Sequence, residues 1–326
     1  MMYLQVAAGL VILLVCGELL VRGSVALAER FNISKLVIGF TIVAFGTSAP
    51  ELVVCIQAAL DGASGISIGN VVGSNIANIL LVLGAPALIY PLTYDERSAF
   101  RDSLIVAGGA ALFTAFAWLG VIAFWQGFIL TATLALVIYA AYRRARTEGD
   151  DAADEALEEY EENMPKTVWV STLFIIIGLL GLTAGARLLV HGAVDIATEA
   201  GVPEEIIGLT LVALGTSLPE LATSLIAAFR HHGDVAIGNV LGSNLFNITG
   251  IIGITAMIQP MEAPAQILNF DLMIMLAASV LLIFLFYVKQ PIGRVMGALF
   301  LAAYVGYIAS QFLGMSGVHS MAMLAS

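Results

Sequence analysis

Two motifs of this chain occur twice, and both repeats keep the same spacing along the sequence. The segment Gly39-Phe-Thr-Ile-Val-Ala-Phe-Gly-Thr-Ser-Ala-Pro-Glu51 matches Gly208-Leu-Thr-Leu-Val-Ala-Leu-Gly-Thr-Ser-Leu-Pro-Glu220. The segment Ile68-Gly-Asn-Val-Val-Gly-Ser-Asn-Ile-Ala-Asn78 matches Ile237-Gly-Asn-Val-Leu-Gly-Ser-Asn-Leu-Phe-Asn247 at the same offset of 169 residues. Two separate motifs that keep one offset without a gap indicate a duplicated unit. The fold is therefore expected to contain two related halves.

Both halves consist of apolar stretches that are long enough to cross a bilayer. Hydrophobic residues make up 60% of the chain and charged residues 11%, whereas soluble domains are about 25% charged. A transmembrane helix needs about 20 apolar residues, whereas apolar and polar residues alternate over about ten positions in a strand of a transmembrane β-barrel. The stretches here are long and do not alternate, so we predict an all-α polytopic membrane protein. The ten predicted transmembrane helices cover residues 3–28, 36–60, 66–89, 102–120, 122–142, 167–196, 206–229, 235–258, 268–288 and 292–314.

The duplication divides these ten helices into two inverted five-helix repeats. Because five is an odd number, the second half enters the membrane from the side opposite to the first. We predict a first repeat at 1–142 with its motif at 39–78, a linker at 143–166, and a second repeat at 167–326 with its motif at 208–247. Inverted repeats are typical of transporters, which bind their substrates at the repeat interface near the membrane midplane.

Basic residues set the expected orientation, because cytoplasmic connections carry an excess of Lys and Arg. If both termini face outside, eleven basic residues lie in cytoplasmic connections and none lies in the opposite ones. We therefore predict a multi-pass protein of the cell membrane with both termini outside. The eleven residues are Arg30, Lys35, Arg97, Arg101, Arg143, Arg144, Arg146, Lys166, Arg230, Lys289 and Arg294.

The net charge of −11 arises mainly in the predicted linker at 143–166, which holds nine of the 24 Asp and Glu residues. An acidic chain without a basic footprint does not fit a nucleic-acid binder. The acidic block is interpreted as a solvated cytoplasmic linker, with a regulatory cation-binding segment as the alternative, because like-charge blocks are commonly tails or linkers.

The duplicated motif places two carboxylates, Glu51 and Glu220, inside apolar helices. Placing an ionisable group at that depth of the membrane costs about 2.5–3.5 kcal/mol or more of insertion free energy, so such a group is normally functional. A structural alternative pairs them with Arg22 and Arg187, near the ends of helices 1 and 6. The proline before each glutamate removes a helical hydrogen bond, and the adjacent Gly-Thr-Ser lets the backbone loosen. Freed carbonyls, hydroxyls and a carboxylate are hard oxygen ligands, which suit Ca²⁺ or Na⁺.

Helical spacing gathers further oxygen ligands around each glutamate. One face of helix 2 carries the four positions 44, 47, 48 and 51, and one face of helix 7 carries the related positions 213, 216, 217 and 220. On helices 3 and 8, Ser or Asn recurs every four residues, although Asn70 and Asn239 are equally compatible with simple packing beside glycine. The candidate site residues are Ala44, Thr47, Ser48, Glu51, Ser74, Asn78, Ala213, Thr216, Ser217, Glu220, Ser243 and Asn247.

At these residues the sequence resembles the cation/calcium exchanger superfamily and, within it, the prokaryotic type of sodium/calcium exchanger. The resemblance covers the whole chain and rests on Gly-Thr-Ser-x-Pro-Glu followed by Gly-Asn-x-x-Gly-Ser-Asn, found twice. It implies that Glu51 and Glu220 are the central ligands of one calcium site and several sodium sites. It also implies that Thr47, Ser48, Thr216 and Ser217 contribute hydroxyls or carbonyls and that Ala44 and Ala213 contribute carbonyls. The shell is completed by Ser74, Asn78, Ser243 and Asn247.

The resemblance also implies that helices 1 and 6 form a sliding pair that changes access. Some relatives, including the potassium-dependent exchangers, carry Asp at the position of Asn247, so we expect no potassium requirement here. Proton/calcium exchangers resemble the chain less, because their motif usually has Gly-Asn where this chain has Gly-Thr-Ser.

The sequence therefore predicts a secondary active antiporter that exchanges sodium for calcium by alternating access, with calcium extrusion driven by sodium influx. A proton/calcium or potassium-dependent exchanger is the alternative, and a calcium channel with a glutamate ring is a further one. No nucleophile–base pair is apparent, so we expect no enzyme activity and no cofactor. The expected partners are Ca²⁺ and Na⁺ as substrates and the lipid bilayer, around a monomeric protein.

Overall fold

The computed structural model describes residues 1–31, 33–147, 165–200 and 213–324. Regular structure within these ranges is helical apart from two isolated antiparallel bridges, Leu92 with Ile292 and Ile122 with Met261. The all-α prediction is therefore confirmed for this part of the chain. The acidic stretch at 148–164 and the start of the seventh predicted span, at 206–212, lie outside the described residues.

The helices follow the apolar stretches of the sequence closely. Seven helices within the described residues are long and apolar enough to cross a membrane, and the bent pair α2–α3 would make eight. The predicted count of ten stays a prediction. In chain order the helices are α1 Met2–Arg30, α2 Lys35–Thr47, α3 Ala49–Leu60, α4 Ser64–Ile89, α5 Glu96–Trp118, α6 Phe124–Thr147, α7 Val168–Glu199, α8 Ala213–Thr216, α9 Leu218–Phe229, α10 Gly233–Ile258, α11 Ile267–Tyr287 and α12 Arg294–Leu324.

Both copies of the Gly-Thr-Ser-x-Pro-Glu motif interrupt a helix at the serine. The axis bends by 43° between α2 and α3, around Ser48. Ser217 separates α8 from α9 with almost the same backbone angles, a φ of −91° against −89° at Ser48. Proline in the first turn of α3 and α9 explains why each helix restarts there, since proline has no backbone N–H to donate and suits a first helical turn. The predicted loosening at these motifs is confirmed.

The interior of the protein is formed by α4 and α10. In the most apolar 18-residue segment of α10, 83% is buried, compared with 28% in the corresponding segments of α1 and α7. Glycine allows α10 to lie directly against α2, because a Cβ at Gly242 would overlap the carbonyl of Phe40. The pair α1 and α7 packs together on the outside of this interior, where a Cβ at Gly9 would lie 2.8 Å from the Gly185 carbonyl oxygen. Small residues of this kind let membrane helices approach closely.

Candidate cation-binding site

The two motif carboxylates lie at the centre of the protein. Glu51 and Glu220 occupy the first turns of α3 and α9, and each is 1% exposed. A helix N-terminus favours negative charge, which explains why a buried carboxylate is tolerated at the start of each half-helix.

The ends of α2 and α8 adjoin these carboxylates. α2 ends at Thr47 and α8 ends at Thr216, so the carbonyls of their last turns carry the negative end of the helix dipole. The Ala44 carbonyl accepts bonds from the Ser48 N–H at 3.1 Å and the Thr47 hydroxyl at 3.3 Å. Ala213 is the first described residue of α8. Two negative helix ends and two carboxylates thus face one region, which favours a cation.

Side chains of the first motif reach directly to the second. The Ser48 hydroxyl donates to Glu220 Oε1 at 3.0 Å, and the Thr47 hydroxyl lies 3.3 Å from Asn239 Oδ1. Both hydroxyl residues are buried. The structure therefore brings residues that are more than 170 positions apart in sequence into one site.

Amides of α4 and α10 line the next part of the same interior. Asn78 Nδ2 donates to Asn244 Oδ1 at 3.0 Å, and Asn247 Nδ2 donates to Asn75 Oδ1 at 3.3 Å. The backbone is π-helical at both amide positions, over Asn78–Val82 and Phe246–Ile251. Single-turn π-helical segments are frequent at functional sites because they redirect side chains. Each candidate ligand amide is thus held by an asparagine from the other half.

Six buried oxygens of the candidate residues accept or donate no hydrogen bond with any described residue. Buried polar atoms are rarely left in that state, so each such atom calls for a partner such as a bound ion. A cation would satisfy carboxylate, amide and hydroxyl oxygens together. The six atoms are Glu51 Oε2, Asn78 Oδ1, Ser217 Oγ, Glu220 Oε2, Ser243 Oγ and Asn247 Oδ1.

No three His, Cys, Asp or Glu side chains cluster within the described ranges in a way that could hold a metal ion. The candidate site therefore depends on two carboxylates supplemented by neutral oxygens. This composition suits a hard cation that is carried and released, whereas soft metals prefer thiolate or imidazole ligands.

The two asparagines that the sequence left open differ in the structure. Asn239 is fully buried and donates to the Ser224 hydroxyl at 3.3 Å, so it joins α10 to α9 as well as to Thr47. Asn70 is half-buried and lines a cavity together with Ser74 and Thr216. Arg22, the structural alternative as a partner for a motif carboxylate, forms an ion pair with Glu18 on its own helix.

Sequence reasoning missed Asn75 and Asn244 as site residues. Both are buried, 1% exposed, and each binds the amide of a candidate ligand. The available signal was their presence in both copies of the Gly-Ser-Asn motif at the 169-residue offset. Only the fold shows that each one supports a ligand of the opposite half.

Comparison with known proteins points to a single family. The family model described as "Sodium/calcium exchanger protein" matches residues 1–143 and 170–313. The sodium/calcium exchanger MaX1 of Methanosarcina acetivorans is 31% identical over 95% of this chain and 98% of its own length. An uncharacterized membrane protein of Methanocaldococcus jannaschii is 39% identical over 94% of this chain and 96% of its own.

Solved structures give the same relation at the level of the fold. The sodium-calcium exchanger NCX_Mj, soaked with Na⁺ and Sr²⁺, matches with a TM-score of 0.82 and 34% identity, over 95% of this chain and 98% of that one. The same exchanger soaked with Na⁺ and Ca²⁺ matches with a TM-score of 0.81.

Proposed function

The chain belongs to the sodium/calcium exchanger family, and from this premise we propose that it exchanges Na⁺ for Ca²⁺ across the cell membrane by alternating access. Its family makes it a membrane transporter and not an enzyme. We propose calcium extrusion driven by sodium influx as the working direction. No cofactor is needed for this activity, since both ions are substrates.

The observation that carries the proposal is the set of six buried oxygens of the candidate residues, including one from each of Glu51 and Glu220, that form no hydrogen bond with a described residue. Ca²⁺ takes 6–8 oxygen ligands in proteins. The proposed ligand set combines these atoms with oxygens supplied by the ends of the half-helices α2 and α8. Its residues are Ala44, Thr47, Ser48, Glu51, Ser74, Asn78, Ala213, Thr216, Ser217, Glu220, Ser243 and Asn247.

Exchange follows from shared ligands. Two carboxylates neutralise one Ca²⁺ or are satisfied by sodium ions, but the same oxygens do not hold a full set of both. Ions that compete for one site, when that site opens to one side at a time, move in opposite directions. We infer that α1 and α7, which pack outside the interior, slide relative to it and change access.

The topology proposed with this mechanism is ten transmembrane helices in two inverted repeats, with both termini outside. The 169-residue offset supports the repeat, and the distribution of Lys and Arg supports the orientation. The two halves of an inverted repeat run through the membrane in opposite directions, and alternating access requires this symmetry.

Calcium uptake into vesicles tests the proposal. Purified protein is reconstituted in vesicles loaded with Na⁺ and diluted into Na⁺-free medium that contains ⁴⁵Ca²⁺. We expect uptake that depends on the sodium gradient, that a proton gradient does not replace, and that added K⁺ does not increase. The Glu51→Gln variant should be inactive under the same conditions.

Three results would overturn the proposal in different ways. Uptake driven only by a proton gradient would indicate a proton/calcium exchanger. A strict K⁺ requirement would indicate a potassium-dependent one. Unitary currents in a planar bilayer, without coupling to sodium, would indicate a channel.

A further inference from the structure

A cavity of about 430 Å³ adjoins the candidate site and carries a carboxylate that the proposed function does not use. It lies between α4, α11 and α12 and reaches Thr216 at the end of α8. Its polar lining includes Asn70, Ser74, Thr216, Asp271, Tyr307 and Gln311. Because Ser74 and Thr216 belong to the candidate ligand set, an ion in this cavity lies next to the central site.

Asp271 is the acidic residue of this lining. It ends the π-helical first part of α11, Ile267–Asp271, and is 6% exposed. Its Oδ1 accepts hydrogen bonds from the Tyr307 hydroxyl at 3.0 Å and from Gln311 Nε2. The Gln311 oxygen is itself bound by Gln266 at 2.8 Å, which fixes the amide with its N–H group towards Asp271.

These partners orient the carboxylate without neutralising it. Both donors are uncharged, and Oδ2 accepts no hydrogen bond from a described residue. A carboxylate within a membrane-spanning helix is costly unless it is paired or lines a wet cavity, and such residues commonly mark ion pathways. Asp271 therefore lines the cavity as a carboxyl group without a basic partner among the described residues.

The position related to Asp271 by the 169-residue offset shows the contrasting arrangement. That residue, Asp102 in α5, is also buried, 2% exposed. It contacts Arg101 at 3.0 Å and Arg144 at 3.8 Å. The first half thus neutralises its carboxylate with arginine, whereas the second half holds the related carboxylate with neutral groups only.

We propose that Asp271, Tyr307 and Gln311 form an accessory cation site that binds one sodium ion before it enters the central site. One carboxylate balances one positive charge, and the Tyr307 hydroxyl oxygen beside it is a hard ligand, while Gln311 orients the carboxylate. The site therefore matches a monovalent hard cation. This inference rests on the proposed exchange function for its role in transport. The binding itself does not depend on transport.

The test uses Asp271→Asn, which keeps a hydrogen-bond acceptor for Tyr307 and removes the charge. In reconstituted vesicles at constant ionic strength, the half-saturating Na⁺ concentration should rise by about threefold to tenfold, as expected for the loss of one charge-assisted contact. The half-saturating Ca²⁺ concentration should change less than the half-saturating Na⁺ concentration does. An unchanged sodium dependence would overturn the proposal.

Two further variants separate a cation site from a structural role. Asp271→Glu retains the charge and should keep most of the sodium affinity of the parent. This variant tests the site even if Asp271→Asn fails to fold. Tyr307→Phe removes one donor but leaves the charge, and should raise the half-saturating Na⁺ concentration less than Asp271→Asn does. Equal effects of Asp271→Asn and Tyr307→Phe would indicate a structural contact instead.

Sodium-dependent stabilisation distinguishes failure of this inference from failure of the exchange function. Thermal unfolding of the purified protein is followed at increasing NaCl, with choline chloride as the ionic-strength control. A weaker sodium-induced rise in melting temperature for Asp271→Asn supports the site even if no sodium-coupled flux is found. The same rise in parent and variant contradicts the site even if flux is present.

A separate observation concerns an ion pair between α1 and α9. Glu18 of α1 accepts a hydrogen bond from Arg230 Nε at 2.9 Å, just after the end of α9. On the same interface, a Cβ at Gly17 would lie 3.3 Å from Ile226 Cγ1, so the two helices are in close contact. This pair joins the outer helix α1 to the interior.

The 169-residue offset relates this pair to two residues of reversed charge. It relates Glu18 to Arg187 and Arg230 to Asp61. Arg187 is exposed on α7 and lines a cavity of about 170 Å³ with His191 and Thr216. Asp61 is exposed after the end of α3 and accepts a bond from Gln57 Nε2 at 3.0 Å. The pair Glu18–Arg230 is thus formed on one side of the site. Among the described residues, no ion pair joins Arg187 to Asp61, which are the related residues with exchanged charges.

We infer that Arg187 and Asp61 form the ion pair that holds α7 against α3 when the opposite access state is populated. In this inference, the ion pairs Glu18–Arg230 and Arg187–Asp61 alternately close the access to the candidate site from the two sides of the membrane. This second inference depends on the proposed alternating access, since only that motion brings Arg187 and Asp61 together.

Cross-linking in vesicles tests the second pair. In a background with Cys16→Ala and Cys55→Ala, the Asp61→Cys/Arg187→Cys pair should be bridged by a short bis-methanethiosulfonate reagent. Adding Glu18→Gln removes the opposing ion pair and should speed the reaction severalfold. Absence of bridging, or a rate indifferent to Glu18→Gln, would overturn the inference, whereas bridging without sodium-coupled flux would contradict only the exchange function.

Discussion

The amide contacts between α4 and α10 follow the 169-residue offset, whereas the hydroxyl–carboxylate contacts beside them do not. Asn78 binds Asn244 at 3.0 Å, and the related Asn247 binds Asn75 at 3.3 Å. In contrast, Ser48 binds Glu220 at 3.0 Å, while the hydroxyl of Ser217 has no partner among the described residues. Nearly identical motifs thus behave alike in one region and differently in the other.

This difference separates a framework from a changeable part of the site. The paired amides lie on the two helices of the interior, where the same contact forms twice. The hydroxyls and carboxylates lie at the broken ends of α2, α3, α8 and α9, which also contact the outer pair α1 and α7. One carboxylate accepts a hydrogen bond from a hydroxyl of the other half, whereas Glu51 Oε2, Glu220 Oε2 and Ser217 Oγ form none with a described residue.

The largest expected effect comes from removing either carboxylate. Glu51→Gln and Glu220→Gln should each lower sodium-driven calcium uptake by about 100-fold or more, since loss of one partner of a buried charge interaction costs about 3–5 kcal/mol. Initial rates of ⁴⁵Ca²⁺ uptake measure the effect. Retained transport in one variant would show that the two carboxylates differ in role as well as in contacts.

Substitution of the supporting amides tests the symmetric region. Asn75→Ala and Asn244→Ala should each weaken Ca²⁺ affinity by about 10-fold to 100-fold, the range typical of residues that orient metal ligands. The framework interpretation requires effects of similar size, because both amides make the same contact. Titration of Ca²⁺ binding by isothermal calorimetry checks this, and a large inequality would contradict it.

The serines test the asymmetric region. Ser48→Ala leaves Glu220 Oε1 without its donor and should destabilise the ion-free protein by about 1–3 kcal/mol, the cost of an unsatisfied buried acceptor. Ser217→Ala removes a hydroxyl that has no partner among the described residues, so the ion-free melting temperature of this variant should stay near that of the parent. Thermal unfolding in chelator without Na⁺ distinguishes the two, and equal shifts would refute the asymmetry.

A pH-dependent effect is expected at the connection between α9 and α10. Burial lowers the pKa of His232 to about 4 from its ordinary 6.5, and the positive charges of Lys35, His231 and Arg230 act in the same direction. The unfolded chain therefore binds a proton between these values that the folded protein does not, so stability falls as pH drops from about 6.5 towards 4. The related position in the first half, Ala63, carries no titrating group.

His232→Gln provides the matched control for this pH dependence. The loss of thermal stability between neutral and acidic pH should become smaller in the variant, because the differential protonation is removed. An unchanged pH profile would place the acid sensitivity elsewhere in the protein.

Several features of the site were predictable because they follow from local chemistry. The prolines at positions 50 and 219 and the preceding Gly-Thr-Ser indicated where the helices would break, and they break at Ser48 and Ser217. Burial of Glu51 and Glu220 followed from apolar neighbours over a full span. The roles of Asn75 and Asn244 were not predictable, since a motif does not reveal which half supplies the partner of each amide.

The sequence by itself determined the helical class of the protein, its internal repeat and the chemical character of its candidate ligands, because these depend on composition, periodicity and spacing along one chain. Only the tertiary structure decided which of their oxygens form hydrogen bonds with other described residues and which do not. It also decided that Asp102 is neutralised by arginines while Asp271 is not. Such differences arise between segments distant in sequence, where packing gives related residues different neighbours.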